Sequence, residues 1–217
     1  MKKEELKELS ISTWEKLRRA IQDGDKASSL NLVEKAKENE KKMRSILMRF
    51  IDFSLTRLAN TTCEDSVYQV MRDYCIECAW PLFGNEFPWL DHEEKLKRRV
   101  EPWTILHNID NFAIEEDDEK YIIEFPCDTG GVLVGIGKGK TKKAYPWSSG
   151  EKDVGYYCTH CHTAYEVMAI DQCGHPWWIT FPPKNQGDKC VQYVYKDIKN
   201  TPEKYYVRSG KKKPNKS

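Results

Sequence analysis

The chain has 217 residues, with 35 basic against 34 acidic side chains and a formal net charge of +1. That length holds one large domain or two small ones, and an apolar fraction of 39% with seven Trp supplies a packed core, which argues against intrinsic disorder. The balanced charge argues against a dedicated nucleic-acid binder, whose domain would carry a basic excess.

The leading residues, Met1-Lys-Lys-Glu-Glu, are charged, and no apolar run reaches the roughly 18 residues that a membrane helix needs. The expectation is a cytoplasmic protein in which thiols stay reduced. Its eight Cys would then act as small core residues, metal ligands or reactive groups.

Leu6, Leu9, Ile11, Trp14, Leu17 and Ile21 recur at helical spacing and stop at Asp23-Gly24-Asp25. A second helix is expected from about Ser28 to Asn60, charged from Glu34 to Lys42 and then apolar on one face from Met43 through Leu58. A third, Glu64 to Trp80, carries Val67, Val70, Met71, Cys75 and Cys78, and Pro81 ends it. Asp91 and Glu94 have capping-box spacing for a fourth, which Pro102 should kink or end.

The pattern changes near residue 109. Asn111 to Glu116, Asp117-Asp118, then Tyr121 to Phe125 read as a β-hairpin. Val132-Leu133-Val134 after Gly130-Gly131 suggests another short strand, residues 135–150 a loop, and Tyr156 to Asp171 a helix. The segments from Trp177 to Phe181 and from Cys190 to Tyr195 are strand-like, and Pro202 opens a final helix. The fold class is therefore α+β, with N-terminal helices packed on a C-terminal antiparallel sheet. Residues 1–108 form the helical region, 109–209 the sheet region with the Cys cluster, as one domain with the helices, and 210–217 a disordered basic tail.

Cys158-Thr-His160-Cys161-His162 is the densest set of soft ligands. Two thiolates with two residues between them can grip one metal ion, and a structural zinc needs four ligands. Cys190 follows the Gly187-Asp188 turn and Cys127 sits in a turn after a strand, so Cys127, Cys158, Cys161 and Cys190 form the expected zinc set. The competing expectation is a group of reduced core thiols. A third is catalytic: Cys127 as nucleophile, an oxyanion pocket from Asp128 to Gly131, and His160 as base.

Cys-x-x-Cys-His also matches c-type haem attachment, which belongs outside the cytoplasm, and a thioredoxin-like motif would need a βαβ setting. Cys75 and Cys78 stand far from Cys158 in the chain, and their i, i+3 spacing on a helix reads as core-facing. Gly135 to Thr141 lacks the glycine spacing of a Walker A loop. His92 and His107 fall on expected helices, and Trp177-Trp178 reads as core.

Tyr157-Cys158, a helical stretch, an apolar strand and then Gly187-Asp188-Lys-Cys190 resemble the C-terminal pattern of two related families. These are the 4-vinyl reductase domain and the L-2-amino-thiazoline-4-carboxylic acid hydrolases, and the resemblance covers residues 155–197. It implies helices over an antiparallel sheet and a small-molecule pocket, with Cys190 as a zinc ligand in the sensing members and Cys158 as a functional thiol in the hydrolases. The acidic-plus-Cys pair of the sensing members is replaced here by Ile179 to Pro183.

The function expected is a cytoplasmic small-molecule hydrolase or lyase with a zinc or thiol site, in which His160 moves protons. The alternative is a small-molecule sensor with a structural Cys₄ zinc. The expected partner is a small-molecule ligand or substrate, with no nucleic acid, no membrane, and a homodimer as a possible assembly.

Overall fold

The computed structural model describes residues 10–82, 86–106 and 112–215. Leu6, Leu9, His107 and Asn111 lie outside the described residues. Helix α1 (Thr13–Gln22) starts at Ser12, whose Oγ accepts from the Glu15 backbone N–H at 3.2 Å. Gly24, at φ +71°, turns the chain into α2 (Lys26–Thr61). The chain divides between Leu47 and Met48 into two compact units, so the change of pattern near residue 109 falls inside the second. In the first unit Leu17 and Ala36 are buried, and the Asn39 side-chain amide donates to Thr13 Oγ1 at 3.3 Å.

In the second unit α3 (Glu64–Tyr74) runs into a π-helical turn, Cys75–Ala79, and a 3₁₀ turn, Trp80–Leu82. The wider i→i+5 turn rotates the helix face, so Cys75 is buried while Cys78 is exposed. The shared core face expected for the pair is thereby corrected. Helix α4 (His92–Leu106) is capped by Asp91, whose Oδ1 accepts from Glu94 N–H at 2.9 Å. Pro102 is carried inside α4 rather than ending it, and the next residue, Trp103, is buried in the core. Burial of an indole, worth roughly 3 kcal/mol or more, is of the same size as the penalty for an interior proline.

Strands β1 (Ala113–Glu116), β2 (Lys120–Phe125), β3 (Ile179–Phe181) and β4 (Cys190–Tyr195) form one antiparallel sheet in the order β1-β2-β4-β3. Asp117 makes the hairpin turn, its Oδ1 accepting from the backbone N–H of Glu119 at 2.8 Å and Lys120 at 2.7 Å. Alternation puts Tyr121, Ile123 and Phe125 of β2 inward. Val132 and Leu133, expected with Val134 as a strand, belong instead to a single helical turn, α5 (Gly130–Leu133).

The helix expected after Tyr156 is α6, residues 159–173, π-helical over Thr163–Met168. Its Cys161, Ala164, Tyr165, Met168 and Ala169 pack with Trp103 on the inner face of the sheet. On the other face, Ile179 and Tyr195 meet Tyr205 of α7 (Glu203–Arg208). The fold is α+β. In the basic tail, Lys211 pairs with Asp171, and Lys213 Nζ donates to the Thr201 carbonyl at 2.8 Å. Among the described residues no helix is long and apolar enough to cross a membrane.

Candidate functional site

Three chain segments deliver the four cysteines singled out in the sequence. Cys190 opens β4 and faces Phe125, the last residue of β2. Cys127 follows two residues later, in the turn into α5. Cys158 and Cys161 lie one turn apart at the start of α6. The glycine pair of α5 passes between them: a Cβ on Gly130 would sit 2.6 Å from Cys158 Sγ, and one on Gly131 would sit 3.0 Å from Cys127 Cβ. A side chain at either position would force Cys158 or Cys127 to shift, which favours glycine at both.

Burial pushes the thiols of Cys158 and Cys190 well above their ordinary value, and facing sulfurs, which would repel one another as thiolates, add to the rise. The Cys161 thiol is pushed up to about 12 by burial, against the pull of Arg99. The sequence proposed Cys127 with His160; the structure gives each a different partner. Cys127 Sγ lies 3.4 Å from Thr129 Oγ1, while His160 Nε2 lies 3.3 Å from Cys161 Sγ. His160 Nδ1 meets the Tyr157 carbonyl at 2.5 Å. A carbonyl can only accept, so Nδ1 carries the hydrogen and Nε2 turns its lone pair to the Cys161 thiol. Burial lowers the His160 pKa, so imidazole and thiol face each other as a neutral pair.

Cys75 Sγ donates to the His160 carbonyl at 3.6 Å, and the rings of Tyr74 and Tyr157 flank the imidazole. Cys173 donates instead to backbone carbonyls, and Cys63 lies exposed at the start of α3. His92 meets the Tyr121 hydroxyl at 2.8 Å.

Arg99 is the functional candidate that sequence reasoning missed. It projects from α4 into the core and is 1% exposed. Its guanidinium carbon lies 4.7 Å from the ring centre of Trp103, 4.5 Å from Trp178 and 5.9 Å from Phe125. Burial pushes its pKa down to about 10, and the ionisable groups that oppose this are Tyr165, Cys161, Cys190 and Cys127. Nε and Nη2 have no hydrogen-bond partner among the described residues. A signal was present: Leu96, Arg99, Val100 and Trp103 make one apolar helical stripe with an arginine in it.

The glycine-rich loop at 135–141 is not a phosphate cradle. The Asp52 carboxylate already accepts from the backbone N–H groups of Lys138 at 2.9 Å and Gly139 at 3.2 Å. Beside it lies a narrow cleft of about 10 Å³, room for about one water, whose wall includes Gly130, Tyr157, Cys158, Lys140 and Lys184. Among the described residues no three His, Cys, Asp or Glu side chains are arranged to hold one metal ion. The Arg99 charge also works against a cation at this place. The chain matches no protein-family profile, no curated protein and no solved structure.

Proposed function

We propose that this chain is a small-molecule hydrolase or lyase, cytoplasmic, whose reacting group is the Cys161 thiol with His160 as its base. The observation that carries the reading is the contact of His160 Nε2 with Cys161 Sγ, with Nδ1 held by the Tyr157 carbonyl. This is the arrangement of a thiol nucleophile whose base is oriented by a third group. Because both groups rest neutral, the proton leaves as the new bond forms. The sulfur adds to an electrophilic carbon of the substrate and its proton moves to Nε2. That proton then goes to the departing nitrogen, oxygen or sulfur as its bond breaks, and water releases the bound fragment and restores the thiol.

The resemblance to L-2-amino-thiazoline-4-carboxylic acid hydrolases supports the same class of reaction. A second reading, a ligand-binding module with zinc on Cys127, Cys158, Cys161 and Cys190, is supported by the approach of those segments around the Gly130-Gly131 turn.

Iodoacetamide trapping at pH 7.5 with peptide mapping, alongside metal analysis, separates the two. The thiol reading expects alkylation of Cys161 that slows by about a hundredfold in His160→Ala, a typical size for loss of a general base. One tightly held zinc per chain, lost in Cys158→Ser, would instead favour the module. Equal Cys161 labelling in His160→Ala would sink the catalytic pair.

A further inference from the structure

We propose that the outer face of α2 is a docking surface for an anionic lipid bilayer. The surface adds a location to the reaction proposed above and does not depend on it.

Helix α2 carries apolar side chains on two faces. Met48, Leu55 and Ala59 are buried, and Leu55 and Ala59 pack with Val67, Met71 and Tyr156. The opposite face bears Met43, Ile46, Leu47, Phe50 and Phe53, which are 60%, 67%, 52%, 67% and 67% exposed. With about 100° of rotation and about 1.5 Å of rise per residue, these five fall in a sector about 120° wide and about 15 Å long. Single exposed apolar residues are ordinary on a folded surface, whereas a contiguous stripe of this kind marks a protein or membrane contact.

Charge selects the occupant. Residues 41–57 hold five basic side chains, Lys41, Lys42, Arg44, Arg49 and Arg57, and a single acidic one, Asp52. Asp52 is buried and accepts from the backbone N–H groups of Lys138 and Gly139. The exposed charge over this stretch is therefore of one sign. Lys42 and Arg44 pair with Glu38 and Glu40, while Lys41, Arg49 and Arg57 are exposed and make no ion pair among the described residues. By helical rotation Lys42 and Arg49 line one edge of the stripe, and Arg57 continues it one turn beyond Phe53. An apolar ridge edged by Lys and Arg suits a bilayer interface. The apolar side chains enter the acyl boundary, and the cations stay with the anionic headgroups.

A second copy of the chain suits the stripe less well. Antiparallel self-pairing centred on Met48 sets Lys42 against Ser54, Arg49 against Leu47 and Arg57 against Asn39, all uncharged, and parallel pairing sets each cation against itself. The ridge is also convex, and a fluid surface receives it without a matching groove. The short apolar runs that argued against a membrane partner exclude a helix that crosses a bilayer, and α2 needs only to lie on one.

The test is flotation of the full chain with vesicles of phosphatidylcholine alone and of phosphatidylcholine mixed with phosphatidylserine, at low and high salt. The chain is expected to float with the mixed vesicles and not with the neutral ones, and to be released as salt screens the headgroups. Phe50→Ser combined with Phe53→Ser should weaken binding by about tenfold or more. Both rings are exposed, so the unfolding midpoint of this variant should stay at the wild-type value. Arg49→Gln and Arg57→Gln should each weaken binding by about fivefold, which keeps the test open where the double Phe variant fails to fold.

No flotation with the mixed vesicles would overturn the inference. So would undiminished binding in the folded double Phe variant, undiminished binding in both Arg variants, or equal binding to neutral vesicles. Sedimentation equilibrium supplies the remaining arm: a wild-type dimer that dissociates in the double Phe variant would give the stripe to a second copy instead. Cys161→Ser is expected to float like the wild type, so the nucleophile reading and the docking surface fail separately.

Discussion

Two arginines of the second unit, Arg208 half-buried and Arg99 fully buried, are treated differently. Arg208 of α7 donates from Nε to Glu166 Oε2 at 2.9 Å and from Nη2 to both carboxylate oxygens at 2.6 Å, with a further bond to the Thr180 carbonyl at 3.0 Å. Glu166 also accepts from the Thr180 N–H at 2.8 Å, and His162 Nδ1 lies 3.1 Å from its Oε1. Arg99 has aromatic faces on its flanks and, among the described residues, no such carboxylate. The first network fastens the C-terminal helix to α6 and to β3. The second region leaves Nε and Nη2 of Arg99 without a hydrogen-bond partner among the described residues, close to the Cys161 thiol and His160. The half-buried arginine is held by a carboxylate and the fully buried one by aromatic faces.

The contrast can be broken at several points. The largest effect is expected from Glu166→Ala, which leaves the half-buried Arg208 guanidinium and the buried Thr180 N–H without their acceptor; urea unfolding should show a loss of about 3 kcal/mol. A loss below 1 kcal/mol would mean that the network is not what holds α7. Gly130→Ala comes next, because its methyl group would collide with Cys158 Sγ at 2.6 Å. About 1–3 kcal/mol should be lost, with slower alkylation of the site thiols; unchanged stability would show that the turn can move away from the sulfur.

Acid gives a smaller, staged effect. Burial lowers the pKa of His160 and His175, so their neutral forms favour the fold, and stability should begin to fall below about pH 6.5, the unfolded value. Burial raises the Glu166 carboxyl, but the facing His162 and Arg208 outweigh it and hold its pKa below the ordinary value. That contribution is complete above about pH 4.3, the unfolded value, and disappears as pH falls through the lower folded one. Denaturation curves at pH 7, 5.5 and 3.5 check both stages, and a flat profile from 7 to 5.5 would mean that the buried imidazoles protonate without strain. In the first unit, Ser12→Ala removes a helix cap and should cost about 1 kcal/mol of stability.

Much of the scaffold was legible locally. The Asp91 cap, the Asp117 turn and the alternation through Tyr121, Ile123 and Phe125 each follow from interactions within a few residues, and each appears at its expected place. The site was legible in part. Turn positions and Cys-x-x-Cys spacing picked out Cys127, Cys158, Cys161 and Cys190, but not which of them meets His160. Cys78 left the core because a π-helical turn shifts the helix face, and no short-range pattern announces such a turn. The stretch from Val132 to Val134 looked like a strand because apolar composition suits either state.

The amino-acid sequence by itself determined an α+β chain with most of its cysteines in its C-terminal half, since periodicity, caps and turn residues act over distances of a few residues. Only the tertiary structure decided that a glycine pair threads between Cys127 and Cys158, that His160 addresses Cys161, and that Arg99 enters the core between two indoles. Those outcomes depend on which side chains from distant segments exclude water together, and burial of that kind is a property of the packed chain rather than of any stretch of it.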